Sequence, residues 1–227
     1  MHISVIIPAY NEEGSIGKVV NDIPKEIVRD IIVANNNSKD NTAEVAAAAG
    51  AIVLTENRQG YGYACLKGME YLQNLDIKPD IVVFLDGDYS DYPEEISLVI
   101  APILENGMDM VIGSRTLGKR ERGSMTIPQV FGNWLATTLI RWFYGVKFTD
   151  LGPFRAIKYD KLIALSMCDK TYGWTVEMQV KAAKQKMKCT EVAVNYRKRI
   201  GYSKVSGTIK GSLMAGYKII TTILKYR

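Results

Sequence analysis

The stretch DIVVFLDGDYSDYPEEI, residues 80–96, decides how this chain folds. Ile81 to Leu85 form an unbroken, largely β-branched apolar run, the pattern of a strand buried on both faces. The run leads into Asp86-Gly87-Asp88, with Asp91 close behind and Pro93-Glu94-Glu95 opening a helix. The same alternation recurs on either side. ISVIIP (3–8), DIIVAN (30–35), AIVLT (51–55) and DMVIGS (109–114) read as further strands, separated by helical patterns at 13–22, 41–49, 61–74 and 93–105. Regular β-α-β alternation predicts an α/β fold with a mostly parallel twisted sheet and helices on both faces. In such sheets ligands bind beyond the carboxyl ends of the strands. Ala9-Tyr10-Asn11-Glu12, Asn35-Asn36-Asn37-Ser38 and Asp86-Gly87-Asp88 all fall there, which points to one site.

Beyond residue 115 the pattern is less regular. Helices are expected at 128–145, 159–166 and 173–186, a strand at 191–197, a loop from Lys198 to Lys204, and a last helix from about Ser206. No proline- or glycine-rich linker interrupts the chain, so its 227 residues are expected to form one domain.

Charge is unevenly spread. Residues 181–227 hold twelve Lys or Arg against the single acid Glu191, whereas residues 1–180 hold seventeen against twenty-three acids. A basic C-terminal fifth suggests attraction to phosphates, or else a solvated helical face. On a helix Ile209, Leu213, Tyr217, Ile220 and Leu224 fall within an arc of about 80°, with Lys204, Lys210, Lys218 and Lys225 to one side of it. This suits either a helix packed on the domain or a basic amphipathic helix lying on an anionic membrane. Cys65, Cys168 and Cys189 are widely spaced and odd in number, which fits a reducing, cytoplasmic setting. Met1 is followed almost at once by a strand, so no signal peptide is expected, and Trp134 to Val146 is too short to span a bilayer and carries Arg141.

Two carboxylates two residues apart turn toward one point if the chain bends at Gly87. Left bare they repel each other. A hard cation such as Mg²⁺ or Mn²⁺, which takes one or two carboxylates plus phosphate oxygens and water, removes the repulsion and makes Asp86 and Asp88 candidate metal ligands. Asp91 is read as capping the helix near Pro93. His2 is the single histidine, which leaves carboxylates as the candidate bases.

VIIPAYNEE (5–13), ANNNSKDNT (34–42), LDGD (85–88), GSR (113–115), TDLGPFRAI (149–157), YGWTVEMQVKA (172–182) and YRKRIGYSKVSGT (196–208) are colinear over nearly the whole chain. In these the sequence resembles the family-2 glycosyltransferases of GT-A fold, in particular the dolichyl- and polyprenyl-phosphate hexose synthases. The resemblance implies inverting transfer of a sugar from a nucleotide-sugar donor to a polyprenyl phosphate or similar acceptor. It implies a nucleotide-sugar half over 1–115, an acceptor-side half over 116–205 and a basic helix over 206–227. Pro8, Tyr10, Asn11 and Glu12 would line the nucleoside pocket, with Asn36 near the base, and Asp86 and Asp88 would hold the metal and diphosphate. Asp150 and Glu177 would face the acceptor side as catalytic carboxylates, and Arg199 and Lys204 would bind phosphate. Trp174 is either core or a sugar platform, and Arg155 a candidate partner for Asp150. Where relatives carry acids after the second strand this chain has Asn35, Asn36 and Asn37, and an amide matches the donor and acceptor edge of uracil, which favours a UDP-sugar over GDP-mannose.

Rival readings are weaker. A processive polysaccharide synthase would need Gln where Thr138 precedes Arg141-Trp142, and a nucleotidyl-transfer loop would be glycine-rich where this chain has PAYNEE. No nucleic-acid-binding signature accompanies the basic segment, so no nucleic-acid partner is expected. A sugar-nucleotide sensor without turnover shares the donor site. A hydroxyl acceptor would require Asp150 or Glu177 to take its proton; a phosphate acceptor is already ionised near neutral pH.

Overall fold

The computed structural model describes residues 1–202 and 209–227, with side chains of the last helix described from Met214 onward. Lys204, Lys210, Ile209 and Leu213 therefore lie outside the described side chains.

The apolar runs become strands of one sheet: β1 (Ile3–Ala9), β2 (Asp30–Asn35), β3 (Ile52–Thr55), β4 (Ile81–Phe84), β5 (Met110–Ser114), β6 (Arg155–Lys158) and β7 (Cys189–Ala193), in the order β3-β2-β1-β4-β6-β5-β7. The helices are α1 (Ile16–Asp22), α2 (Thr42–Ala48), α3 (Tyr61–Asn74), α4 (Ile96–Asn106), α5 (Ile127–Tyr144), α6 (Tyr159–Ala164), α7 (Trp174–Lys184) and α8 (Ile209–Lys225), with a 3₁₀ turn at Pro93–Glu95 before α4. β1, β2, β3 and β4 run parallel, as the alternation predicts. β6 is an addition: it lies antiparallel between β4 and β5. Its four residues, bounded by Arg155 and Lys158, carry no strand signal of their own, and only the exposed edges of β4 and β5 make them one. The last strand also starts earlier than expected, at Cys189.

Side chains alternate across the sheet with the two-residue period of a strand. Val5, Ile7, Val33, Val83, Val111 and Ala156 face one core. Ile6, Ile32, Val82, Phe84, Ile112 and Ile157 face the other, with Trp174 of α7 edge-on to Phe84 at a ring separation of 6.0 Å. Trp174 is 1% exposed, which makes it core.

β1 lies between β2 and β4, so the chain moves one way from β1 through β2 to β3, then returns through α3 to β4 on the other side. That reversal opens a crevice at the carboxyl ends of β1, β2 and β4. The start of α3 lies hard against residues 168–173. A Cβ on Gly62 would sit 2.0 Å from the carbonyl oxygen of Asp169, so only glycine permits the approach.

α8 rests on α5 and α7. It does so through Ile219, Thr222 and Ile223, not through the arc expected from sequence: Tyr217 and Leu224 of that arc point outward, 68% and 49% exposed. Tyr144 Oη donates to the Ile223 carbonyl at 2.6 Å, and Lys184 Nζ to that of Tyr226 at 3.0 Å, fixing the helix end. No helix among the described residues is long and apolar enough to cross a membrane.

Candidate active site

The loop after β1 is bound to the loop after β2. Asn11 adopts a left-handed backbone (φ 53°); its Oδ1 accepts from Lys39 N at 2.8 Å and its own N–H donates to Ser38 Oγ. Glu12 N donates to Thr42 Oγ1 at 2.8 Å, while its carboxylate accepts from Ser15 Oγ. Pro8 is buried in β1 opposite Ala34, and Tyr10 is half-buried where the strand opens into the crevice. Asn36 corrects the expectation placed on it. Its Nδ2 donates to the carbonyls of Glu56 and Arg58, and its Oδ1 accepts from Gly60 N at 2.8 Å. The amide thus ties β2 and β3 to the start of α3. Both amide hydrogens are thereby engaged, so within the run Asn35-Asn36-Asn37 that favours a UDP-sugar, Asn36 itself offers a base no free donor.

At the end of β4 the acids converge on one another and on a basic segment. Asp86 Oδ1 accepts from Tyr61 Oη at 3.0 Å. Burial first, then the charge of Asp88, pushes the Asp86 carboxyl up to about 7, against the pull of Arg199. Asp88 is 4% exposed; Oδ1 accepts from Ser90 N and Oγ, and Oδ2 meets Arg199 Nη2 at 2.5 Å. The turn that follows them is held firmly. Tyr89 sits at φ 64°, uncommon for an aromatic residue, and Arg197 clamps it by lying 3.4 Å from its ring centroid and donating to its carbonyl. Asp91 does not cap the helix: Tyr92 holds that position, and both Asp91 oxygens are buried without a hydrogen-bond partner among the described residues.

This pair fits a divalent cation. A buried carboxyl group raised by its neighbour's charge is a group that an added cation would stabilise in ionised form. Two carboxylates are the number that Mg²⁺ or Mn²⁺ takes from protein when phosphate oxygens and water complete its shell, and no cluster of three potential ligand side chains occurs among the described residues.

On the acceptor side Asp150 is completely buried and held by Arg115: Nε to Oδ2 at 2.8 Å, Nη2 to Oδ1 at 2.6 Å, and Arg115 N also to Oδ2. Burial alone would raise the Asp150 carboxyl; the guanidinium outweighs it and holds the group below the usual carboxylate range. The backbone around Asp150 is equally constrained. Glu191 accepts from Thr149 N and Asp150 N, Asn133 bonds the Thr149 carbonyl and Leu151 N, and Gln179 donates to the Asp150 carbonyl. Arg155 is not the partner of Asp150 but donates to the carbonyls of Leu151, Gly152 and Thr175. Both Asp150 oxygens thus accept from Arg115 and the proton affinity of the group is lowered, an environment that disfavours proton uptake there.

Glu177, expected on the acceptor side, is engaged by the 168–169 backbone, Lys181 and the end of the chain. It is fully buried and accepts from Asp169 N at 2.7 Å, from Cys168 N and from Tyr226 Oη at 2.7 Å, with Lys181 Nζ at 2.7 Å. Burial opposes its ionisation, but these bonds outweigh it and hold the carboxyl at about 2. Glu177 anchors the 168–173 loop and the end of α8. Arg199, expected to bind phosphate, pairs with Asp88 of the acid pair, and Lys204 lies outside the described residues.

Arg115, Tyr61 and Arg197 were not singled out from sequence as site residues. Arg115 had a signal, since it follows β5 at the same carboxyl end as the other clusters. Arg197 falls within the YRKRIGYSKVSGT motif without a role of its own there, and Tyr61 had no signal, because it meets Asp86 only through tertiary packing.

Residues 4–165 match the family described as Glycosyl transferase family 2. An uncharacterized glycosyltransferase of Mycobacterium bovis is 33% identical over 94% of this chain and 94% of its own length. A UDP-N-acetylglucosamine–dolichyl-phosphate N-acetylglucosaminyltransferase of Methanococcus voltae is 29% identical, covering 98% of this chain and 94% of its own. Among solved structures, glucosyl-3-phosphoglycerate synthase of Mycobacterium tuberculosis in complex with Mn²⁺, UDP and phosphoglyceric acid superposes with a TM-score of 0.75, at 24% identity, over 99% of this chain and 78% of that one. The fold is that of the GT-A glycosyltransferases. With the family match running from β1 through α6, and the acid pair at the crevice that the sheet order creates, this chain belongs to glycosyl transferase family 2.

Proposed function

We propose that this protein transfers a sugar, with inversion, from a UDP-sugar to a polyprenyl phosphate. The observation that carries the reading is the meeting of Asp88 with Arg199 at 2.5 Å, which brings the acids suited to a donor diphosphate against the basic segment suited to an acceptor phosphate. The printed name of the M. voltae relative supports a UDP donor and a lipid-phosphate acceptor.

Asp86 and Asp88 would hold Mg²⁺ or Mn²⁺, which supplies positive charge beside the departing diphosphate. Tyr61 orients Asp86, Ser90 orients Asp88, and the Arg197 clamp keeps the turn in register. In the transfer, an acceptor phosphate oxygen forms a bond to the anomeric carbon as the bond from that carbon to the donor diphosphate breaks, and the nucleoside diphosphate leaves with the electron pair. An ionised phosphate has no proton to lose, which agrees with the occupied oxygens of Asp150 and Glu177. Catalysis then rests on positioning and charge.

A membrane surface is the partner this reading needs. On α5, Ile127, Val130, Phe131, Trp134 and Trp142 lie within an arc of about 120° and are all exposed, Ile127 and Trp142 by 86% and 78%. Tyr217 and Leu224 extend apolar exposure onto the adjoining α8, within the most basic part of the chain. Apolar and basic surface together suit an anionic lipid interface.

The test is transfer from UDP-N-acetylglucosamine, UDP-glucose and GDP-mannose to undecaprenyl phosphate, 3-phosphoglycerate and a free alkyl glycoside, with Mn²⁺ and with EDTA. A lipid-phosphate sugar formed only with metal is expected. Transfer confined to the glycoside would overturn the phosphate acceptor, and undiminished transfer in EDTA would overturn the metal.

A further inference from the structure

Asp91 is the carboxyl group of this site without an assigned partner. It is 2% exposed, and neither oxygen is hydrogen bonded among the described residues. Its backbone is fixed nonetheless: it forms an antiparallel bridge with Tyr196, and its carbonyl accepts from Arg197 Nη2 at 3.2 Å. The acids around it are engaged: Asp86 with Tyr61, Asp88 with Ser90 and Arg199, Asp150 with Arg115. A buried carboxyl group without a donor destabilises the fold, so its presence calls for a partner from outside the chain.

The chemistry of the substrates says which partner. A diphosphate and a phosphate acceptor offer only acceptor oxygens at neutral pH: each repels a carboxylate and leaves the acceptor sites of a carboxylic acid unmet, whereas a hydroxyl serves both forms. The nucleoside belongs to the loops after β1 and β2. What lies between donor diphosphate and acceptor phosphate is the sugar being transferred, and its hydroxyl groups are donors. Asp91 stands at that junction, joined by its bridge to Tyr196 just ahead of Arg199 and within electrostatic reach of both Asp86 and the Arg115–Asp150 pair. We propose that the Asp91 carboxyl group binds hydroxyls of the transferred sugar and so fixes its orientation between the acid pair and the basic segment; this rests on the glycosyl-transfer reading above. Burial first, then Asp86, raises the proton affinity of Asp91, with Arg115 opposing. A carboxylic acid, with one donor and free acceptor sites, matches a sugar hydroxyl as well as a carboxylate does.

The experiment is calorimetric titration of wild type, Asp91→Asn and Asp91→Ala with UDP, UDP-glucose and UDP-N-acetylglucosamine in Mn²⁺, without acceptor, alongside thermal melts of the unliganded proteins. Expected are UDP affinities within about twofold of wild type and sugar-nucleotide affinities about tenfold weaker in Asp91→Ala, the size of one buried hydrogen bond. The unliganded variants should melt no lower than wild type, because the change removes an unsatisfied group. Equal loss for UDP and the UDP-sugars would place Asp91 on the diphosphate, and unchanged affinity for both would leave it without a ligand; either overturns the proposal. A wild-type protein that ignores all three nucleotides would instead bring down the glycosyl-transfer reading itself.

Discussion

Arg199 Nη2 lies 2.5 Å from Asp88 Oδ2, so an arginine supplies counter-charge to the acid pair. A divalent cation drawn to the same oxygen competes with that guanidinium. Arg199→Ala should therefore bind Mn²⁺ several-fold more tightly in the absence of nucleotide, while KM for the phosphate acceptor rises about tenfold or more. Paramagnetic titration and initial rates check the two halves. Weaker Mn²⁺ binding in the variant would mean that Arg199 organises Asp88 instead of competing for it.

The Asp150–Arg115 pair gives a stability prediction. Asp150→Asn leaves a buried guanidinium without its counter-charge and should cost about 3–5 kcal/mol. Replacing both residues by apolar groups of similar volume should restore much of that in a urea melt. The pH dependence has a definite sign. The folded-state pKa of Asp150 is lowered, so its contribution is present above the unfolded value, about 3.9, and is lost as pH falls through the folded value. The double apolar variant should lose less stability than wild type below about pH 4.

Glu177 should behave as an anchor. Glu177→Gln weakens the bonds to Tyr226 and Lys181 and should cost about 1–3 kcal/mol. Donor affinity should stay near that of wild type, and α8 should become readily cleaved by protease near Tyr226. A variant with normal stability and abolished transfer would return Glu177 to the reaction. On the acid side, the Glu177 contribution is present above its ordinary value and disappears as pH falls from there toward about 2.

The exposed α5 face is tested by Trp134→Ser and Trp142→Ser. These side chains are 59% and 78% exposed, so the melting temperature should hardly move. Sedimentation with anionic liposomes at low salt should fall several-fold, and the same vesicles with zwitterionic lipid should bind less wild-type protein. Unchanged binding would place lipid contact elsewhere on the chain.

Much of the fold was legible in the order of residues. The strands β1 to β5 are apolar runs with their own turn signals, and their alternation with helices fixes a parallel sheet and a crevice at its carboxyl end. β6 was not legible, because Arg155–Lys158 becomes a strand only when β4 and β5 supply neighbours on both sides. At the site, chain order alone sets which acids lie at the crevice: Asp86 and Asp88 follow β4, and no packing could move them far from its end. Tertiary structure decided whom each charged group meets. Asp150 found Arg115 and not Arg155, Glu177 found Tyr226 at the far end of the chain, and Asn36 spent its amide on the backbone of Glu56, Arg58 and Gly60. Asp91, placed by sequence to cap a helix, lost that role because Tyr92 took the capping position and the bridge to Tyr196 holds Asp91 within the site. The physical reason is range: strand and helix patterns arise from neighbours along the chain, whereas a buried charge is settled by whichever partner the packing brings within about 3 Å, however distant in sequence.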